Sequence, residues 1–297
     1  MGKGGNSSTA VERGPLAVTL AQPSDKITKR SLREAIPKEY FERSYVLSLG
    51  HLAWDLIVVV TSVWLAYQAC AVLPTYAAPL VWAFYWWYQS ITFTGLWVLA
   101  HECGHGGFTD SRLVNDVVGW CLHSALLTPY FSWALTHAKH HHYTNHMTMG
   151  ETWVPSTANP EKKSVKFAAS TAGTWQRIIS IALAGWYVYL FTNATGAYQN
   201  KGQSHFDPRS KALFKPKDAN LVRLSNLGMF LGLAGVVAAI STFGFATFFK
   251  VYLVPQMGCK YAPPLPPPPP PPSPLPFCCA PRVSASYAHP EADGPTS

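Results

Sequence analysis

Charge is scarce in this sequence: Asp, Glu, Lys and Arg together make up 13% of its 297 residues, against roughly 25% in ordinary soluble domains. A soluble protein of this size needs more charge to coat its surface, so the composition favours a membrane protein. Paired cysteine motifs are also missing. Cys70, Cys103, Cys121, Cys259, Cys278 and Cys279 form no CxxC pair, which argues against a disulfide framework and a zinc knuckle. The opening MGKGGNSSTAVERG lacks the apolar core of a signal peptide, and Asn6 stands where a myristoylation motif needs Ser or Thr. The net charge of +8 is not gathered into one basic motif, so nucleic acid is not expected as a partner. The positive residues lie in the N-terminal segment and the loops, where they set topology beside anionic lipid.

What the chain does have is long uncharged runs. Residues 52–73 hold one charge, Asp55, and residues 76–100 hold none. Each is long enough to cross a hydrocarbon core of about 30 Å, and the short connection around Leu73-Pro74-Thr75 makes them a hairpin. Both ends of that hairpin then share a face with the basic arm of residues 1–50, which carries eight Lys/Arg and belongs in the cytosol. Within the arm, Ser31 and Glu34 have capping-box spacing for a short helix that Pro37 would end or kink. Residues 117–135 are uncharged but interrupted by Pro129, which predicts an interfacial or re-entrant helix. Residues 178–200 and 224–249 are two further runs, separated by a loop with six Lys/Arg between Lys201 and Arg223. A simple hairpin there would put the basic loop on the wrong side of the membrane, so the pattern leaves its placement open. Residues 263–276 are nearly all proline, a composition that favours polyproline II and builds no packed core.

Two groups of histidines carry chemistry. His101-Glu102-Cys103-Gly104-His105 directly follows the second apolar run, and histidines at i and i+4 share one helical face. Taken alone this is also HExxH, the zinc-protease signature, with Glu102 as general base. His137, His140 and His141, spaced i, i+3, i+4, again put three imidazoles on one side of a helix. Five of 11 histidines in two such patterns at one membrane face predict metal binding. Imidazole suits zinc, copper, iron and nickel alike. A zinc protease needs only three protein ligands, so five well-spaced histidines suggest more than one metal. The protease reading also needs a later ligand, often Asp, and residues 224–255 contain none. His142 is expected to support the ligands or face solvent. His51, His123 and His205 are expected to pack or lie at the surface, and the Asn193-Ala-Thr195 sequon is read as structural. Asp55, an ionisable group in an apolar run, is a functional suspect.

HECGHGGF and HAKHH resemble the first two histidine boxes of membrane fatty-acyl desaturases. The distance between them, together with LREAIPKEYFERS, GWYVYLFTNATG and SHFDP, resembles the delta-12 (oleate) branch from about residue 25 to residue 255. The resemblance implies an all-α integral membrane protein with a di-iron site on the cytosolic face of the endoplasmic reticulum. It implies two iron ions held by His101, His105, His137, His140 and His141, with Glu102 and Asn145 orienting them. It further implies O2 as co-substrate, electrons from cytochrome b5 and its NADH-dependent reductase, and the acyl chain of a membrane phospholipid as substrate. The reaction implied is insertion of a second cis double bond into an oleoyl chain. Omega-3 desaturases and acyl hydroxylases or acetylenases share the same boxes.

One family feature is absent: nothing after Pro255 resembles the third box, HxxHH, and His289 stands alone. Three organisational units follow: a basic arm (1–50), an incomplete desaturase domain (51–255) and a proline-rich tail (256–297). The missing box motivates a rival expectation, a non-catalytic chain that pairs with an intact desaturase.

Overall fold

The computed structural model describes residues 28–144, 146, 148–154 and 170–259, and every regular element among them is helical. The expectations for residues 1–27, for the proline-rich stretch and for Asn145 lie outside the described residues. The helices are α1 (Lys29–Ala35), α2 (Tyr45–Val72), α3 (Ala78–His105), α4 (Arg112–Ala125) and α5 (Tyr130–His142). After them come α6 (Thr171–Ser180), α7 (Trp186–Thr192), α8 (Ala219–Phe243), α9 (Phe245–Phe248) and α10 (Val254–Cys259). Single π-type turns, Ile181–Gly185 and Phe249–Leu253, join α6 to α7 and α9 to α10.

The first cap sits one turn earlier than its spacing suggested. Thr28, not Ser31, is the N-cap of α1; its hydroxyl accepts from the Ser31 N–H, and the Ser31 hydroxyl accepts from the Thr28 N–H. Glu34 instead pairs with Arg30 one turn back, at 2.7 Å. The helix stops before Pro37, as a proline there requires.

The 52–73 and 76–100 runs form α2 and α3, joined through a short turn at Thr75–Ala77. At 28 residues each, they are about 42 Å long at 1.5 Å per residue. Their shared end is tied by the Ser48 hydroxyl donating to the Phe108 carbonyl and by an Arg43–Asp110 ion pair. Only Ser62 and Ala66 of α2 are buried, and large apolar side chains such as Trp54, Val60 and Trp64 are exposed. Among the described residues, two helical stretches are by length and composition able to cross a membrane, Tyr45–Val72 and Pro216–Phe243. Helix α3 is the centre of the bundle, packed against α2, α4 and α10. Its fully buried Gln89 accepts from the Ser62 hydroxyl of α2 at 2.6 Å. Asp55 is half-buried and faces Gly95 of α3, where a Cβ would lie 3.2 Å from its carboxylate.

The interrupted run 117–135 is two helices rather than one. Helix α4 ends at Ala125, Leu127 takes a left-handed conformation (φ 53°), and Pro129 opens α5. The two helices close tightly where Gly119 lets the Tyr130 ring lie against α4, since a Cβ at 119 would collide with that ring.

The later runs are also reorganised. Helix α8 ends at Gly244 (φ 80°), and residues 245–259 fold back alongside α3. They run parallel to it, since Tyr85 donates to the Val251 carbonyl and Thr94 to the Cys259 carbonyl. Both ends of the basic 201–223 loop sit at the histidine end of the bundle. Asn193 bonds Glu151 beside α5, and the Ser132 N–H of α5 donates to Ser225 of α8. The cationic loop thus lies at the same end of the bundle as the histidines.

Candidate metal centre

Two helix C-termini build the centre. Helix α3 carries His101 and His105 into its last turn and stops at Gly106, whose left-handed backbone (φ 70°) suits glycine. Helix α5 ends in His140, His141 and His142. Because α3 and α5 pack together, their i, i+4 histidines face one another. The ligand atoms of His101, His105, His137 and His141 all lie within 4.8 Å of one another. His101 Nε2 lies 2.8 Å from His137 Nε2 and 3.2 Å from His105 Nε2, and His141 Nε2 lies 2.9 Å from His137 Nε2. Residues 101 and 137 are half-buried, whereas 105 and 141 face outward. The centre therefore has a buried floor and an open rim.

The electrostatics suit a cation. Burial pushes the His137 imidazole down to about 3, and the four neighbouring histidines push the same way. His141 is lowered too, by desolvation first and then by His105 and His140. Neutral imidazoles keep the lone pairs a metal needs. The Glu102 carboxylate accepts from His101 Nδ1 at 2.9 Å, which puts the proton on Nδ1 and leaves Nε2 as the available donor. A carboxylate behind a ligating histidine is the usual support of such a site. The donor set thus fits a first-row metal ion.

An aromatic floor lies beneath the imidazoles. Trp133, one turn before His137, stacks on its ring at 4.4 Å and 20°. Trp97, one turn before His101, lies 5.3 Å from the buried His123 ring and 5.2 Å from Trp133. His123 Nε2 donates to the Trp97 carbonyl at 3.3 Å, so His123 packs under the site rather than joining it. His205 is likewise buried, between Thr136 and the Leu190 carbonyl. His51 and His142 are exposed and outside the four-imidazole group, and Asp55 stands apart from it on α2.

His140 is the candidate that the fold sets apart. Its ring centroid lies 5.8 Å from those of His137 and His141, and its Nδ1 lies 3.0 Å from the Glu151 carbonyl. Glu151 went unnoticed in the sequence, where a single acid in the weakly patterned GETW stretch carries no period or motif. Asn193 is fully buried with its Nδ2 donating to Glu151 at 2.9 Å, so the sequon residue is committed to the interior.

A sequence model of the fatty acid desaturase family matches residues 80–261. A delta(12) fatty acid desaturase of Calendula officinalis is 35% identical over 258 residues, covering 87% of this chain and 68% of that protein. A delta(12) fatty acid desaturase of Mortierella isabellina is 36% identical over 253 residues, 78% of this chain and 62% of its own length. An oleoyl-12-hydroxylase of Ricinus communis is 32% identical over 234 residues, 77% of this chain and 59% of its own length. The chain therefore spans between 59% and 68% of the length of these relatives.

Proposed function

We propose that this chain, which belongs to the fatty acid desaturase family, is an oxidoreductase that places a second cis double bond in an oleoyl chain of a membrane lipid. The observation that carries the reading is the convergence of His101, His105, His137 and His141 at one end of an apolar bundle. In this reading these four and His140 hold non-haem iron, two ions in the complete site, with Glu102 orienting His101. Iron in that position supplies the O2 activation needed to remove hydrogens from an unactivated acyl chain. The protein's own residues do the rest. Trp97, Trp133 and His123 keep water from the buried floor, and Glu102 holds the His101 proton on Nδ1. The apolar helices α2 and α8 lie in the bilayer, with the histidine end and the basic 201–223 loop on the cytosolic face of the endoplasmic reticulum. Electrons come from cytochrome b5 and its reductase. The basic arm (1–50), the desaturase domain (51–255) and the tail (256–297) are its units.

The test is expression of the chain in a yeast that makes oleate but no linoleate, with iron determined on the purified protein. Linoleate together with bound iron, both lost in His101→Ala, is the expected outcome. A hydroxylated product would place the chain with the oleate hydroxylases, a reading that the Ricinus relative favours. Iron-free protein without product would instead support the non-catalytic partner.

A further inference from the structure

Beside the second histidine group lies a fully buried carboxylate that metal binding does not account for. Glu151 is 0% exposed. Its Oε1 accepts from Lys139 Nζ at 2.7 Å and from the Asn200 amide, and its Oε2 accepts from the Asn193 amide at 2.9 Å. A buried carboxylate needs such partners, because unpaired it carries a large desolvation penalty. These donors come from α5, from the end of α7 and from the following loop, so one side chain ties three segments together.

The backbone at this point is held in a costly conformation. Thr152 has φ 66°, and the Trp153 N–H donates back to the Glu151 carbonyl at 2.7 Å. A tight i to i+2 turn at a β-branched residue is strained, and it persists only where its surroundings over-determine it. Here Tyr189 donates to the Thr152 hydroxyl at 3.2 Å, Thr195 donates to the Thr152 carbonyl, and the Val154 N–H donates to the Thr195 carbonyl at 2.8 Å. The same turn presents the Glu151 carbonyl to His140 Nδ1 at 3.0 Å. A carbonyl can only accept, so His140 carries its proton on Nδ1 and keeps the lone pair on Nε2.

We propose that Glu151 is a positioning residue for the second histidine box: its buried carboxylate anchors the strained 151–153 turn, whose carbonyl fixes His140 with Nε2 available to a metal. The proposal rests on the reading that these histidines hold a metal. It assigns His140 a support that comes from a different segment of chain than the one supporting His101.

The experiment uses the full chain in lipid nanodiscs, labelled with 15N-histidine, with His140 identified by difference from His140→Gln. Nitrogen shifts report the tautomer without metal, and a Co(II) titration then reports affinity. In the wild type, His140 should be protonated at Nδ1. In Glu151→Ala that preference should be lost while His123, bonded to the Trp97 carbonyl, is unchanged, and Co(II) should bind 10–100-fold more weakly. Glu151→Gln, which keeps the shape and one acceptor oxygen, should recover part of both effects and serves if the alanine variant does not fold. If both variants leave His140 protonated at Nδ1, or bind Co(II) as tightly as the wild type, the proposal is overturned. Wild-type protein that binds no Co(II) would refute the metal reading, and the tautomer would still decide the role of Glu151.

Discussion

The two histidine groups stand on opposite terms with the protein. The α3 pair is supported locally: the carboxylate that holds His101 belongs to the next residue and is 47% exposed. The α5 group is supported at a distance, by a Glu151 carboxylate that is 0% exposed and by donors from the end of α7 and its loop. Exposed pairs contribute little to stability because water competes with them. Buried networks are stiff, because each unmet partner keeps its full desolvation cost. One helix's share of the centre can thus adjust while the other's is fixed, although each helix gives one imidazole to the floor and one to the rim.

Removing a metal donor should break both halves at once. His137→Ala takes away the imidazole that lies nearest both its neighbours, and mass-spectrometric metal analysis should find the centre empty. Next in size, Glu151→Ala strands the Asn193 and Asn200 amides and the Lys139 ammonium. It should cost about 3–5 kcal/mol in denaturant unfolding, whereas Glu102→Ala should cost under about 1 kcal/mol yet still weaken metal binding. Equal stability losses in these two variants would erase the contrast.

Acid should also separate the halves. Burial lowers His205, beside Thr136 of α5, from 6.5 to about 4. Between those values the unfolded chain binds the extra proton and the folded chain does not, so stability rises with pH. The contribution is fully present above pH 6.5 and is lost as pH falls toward 4, by about 3 kcal/mol. Unfolding followed across that range in wild type and His205→Gln should show a shallower slope in the variant, the remaining dependence coming from other buried histidines such as His137. Smaller again, Gly119→Ala should cost about 1–3 kcal/mol by pushing Tyr130 and α5 away from α4. Its effect on metal affinity should follow the α5 ligands, not Glu102.

Much of this was legible because it is local. Histidines at i and i+4 share a helix face whatever surrounds them, and Glu102 is one residue from the imidazole it holds. Uncharged runs of 20 or more residues have few alternatives to a helix. Other features depended on partners distant in sequence. The cap is an exception, since it moved from Ser31 to Thr28 over a local bond, the Thr28 hydroxyl accepting from the Ser31 N–H three residues on. The run at 117–135 broke at Leu127, where α4 had to turn to let Tyr130 pack on Gly119.

By itself, then, the sequence determined an all-helical chain, the two histidine groups and the family to which they belong, since these rest on periodicity and short spacings. Only the tertiary structure decided that four imidazoles meet, that His140 is held by a carbonyl eleven positions further on, and that Asn193 is buried against Glu151. Those outcomes rest on contacts between segments that no local pattern relates. The cost of burying a charge makes such contacts obligatory once the chain has folded, and it leaves no period in the sequence to announce them.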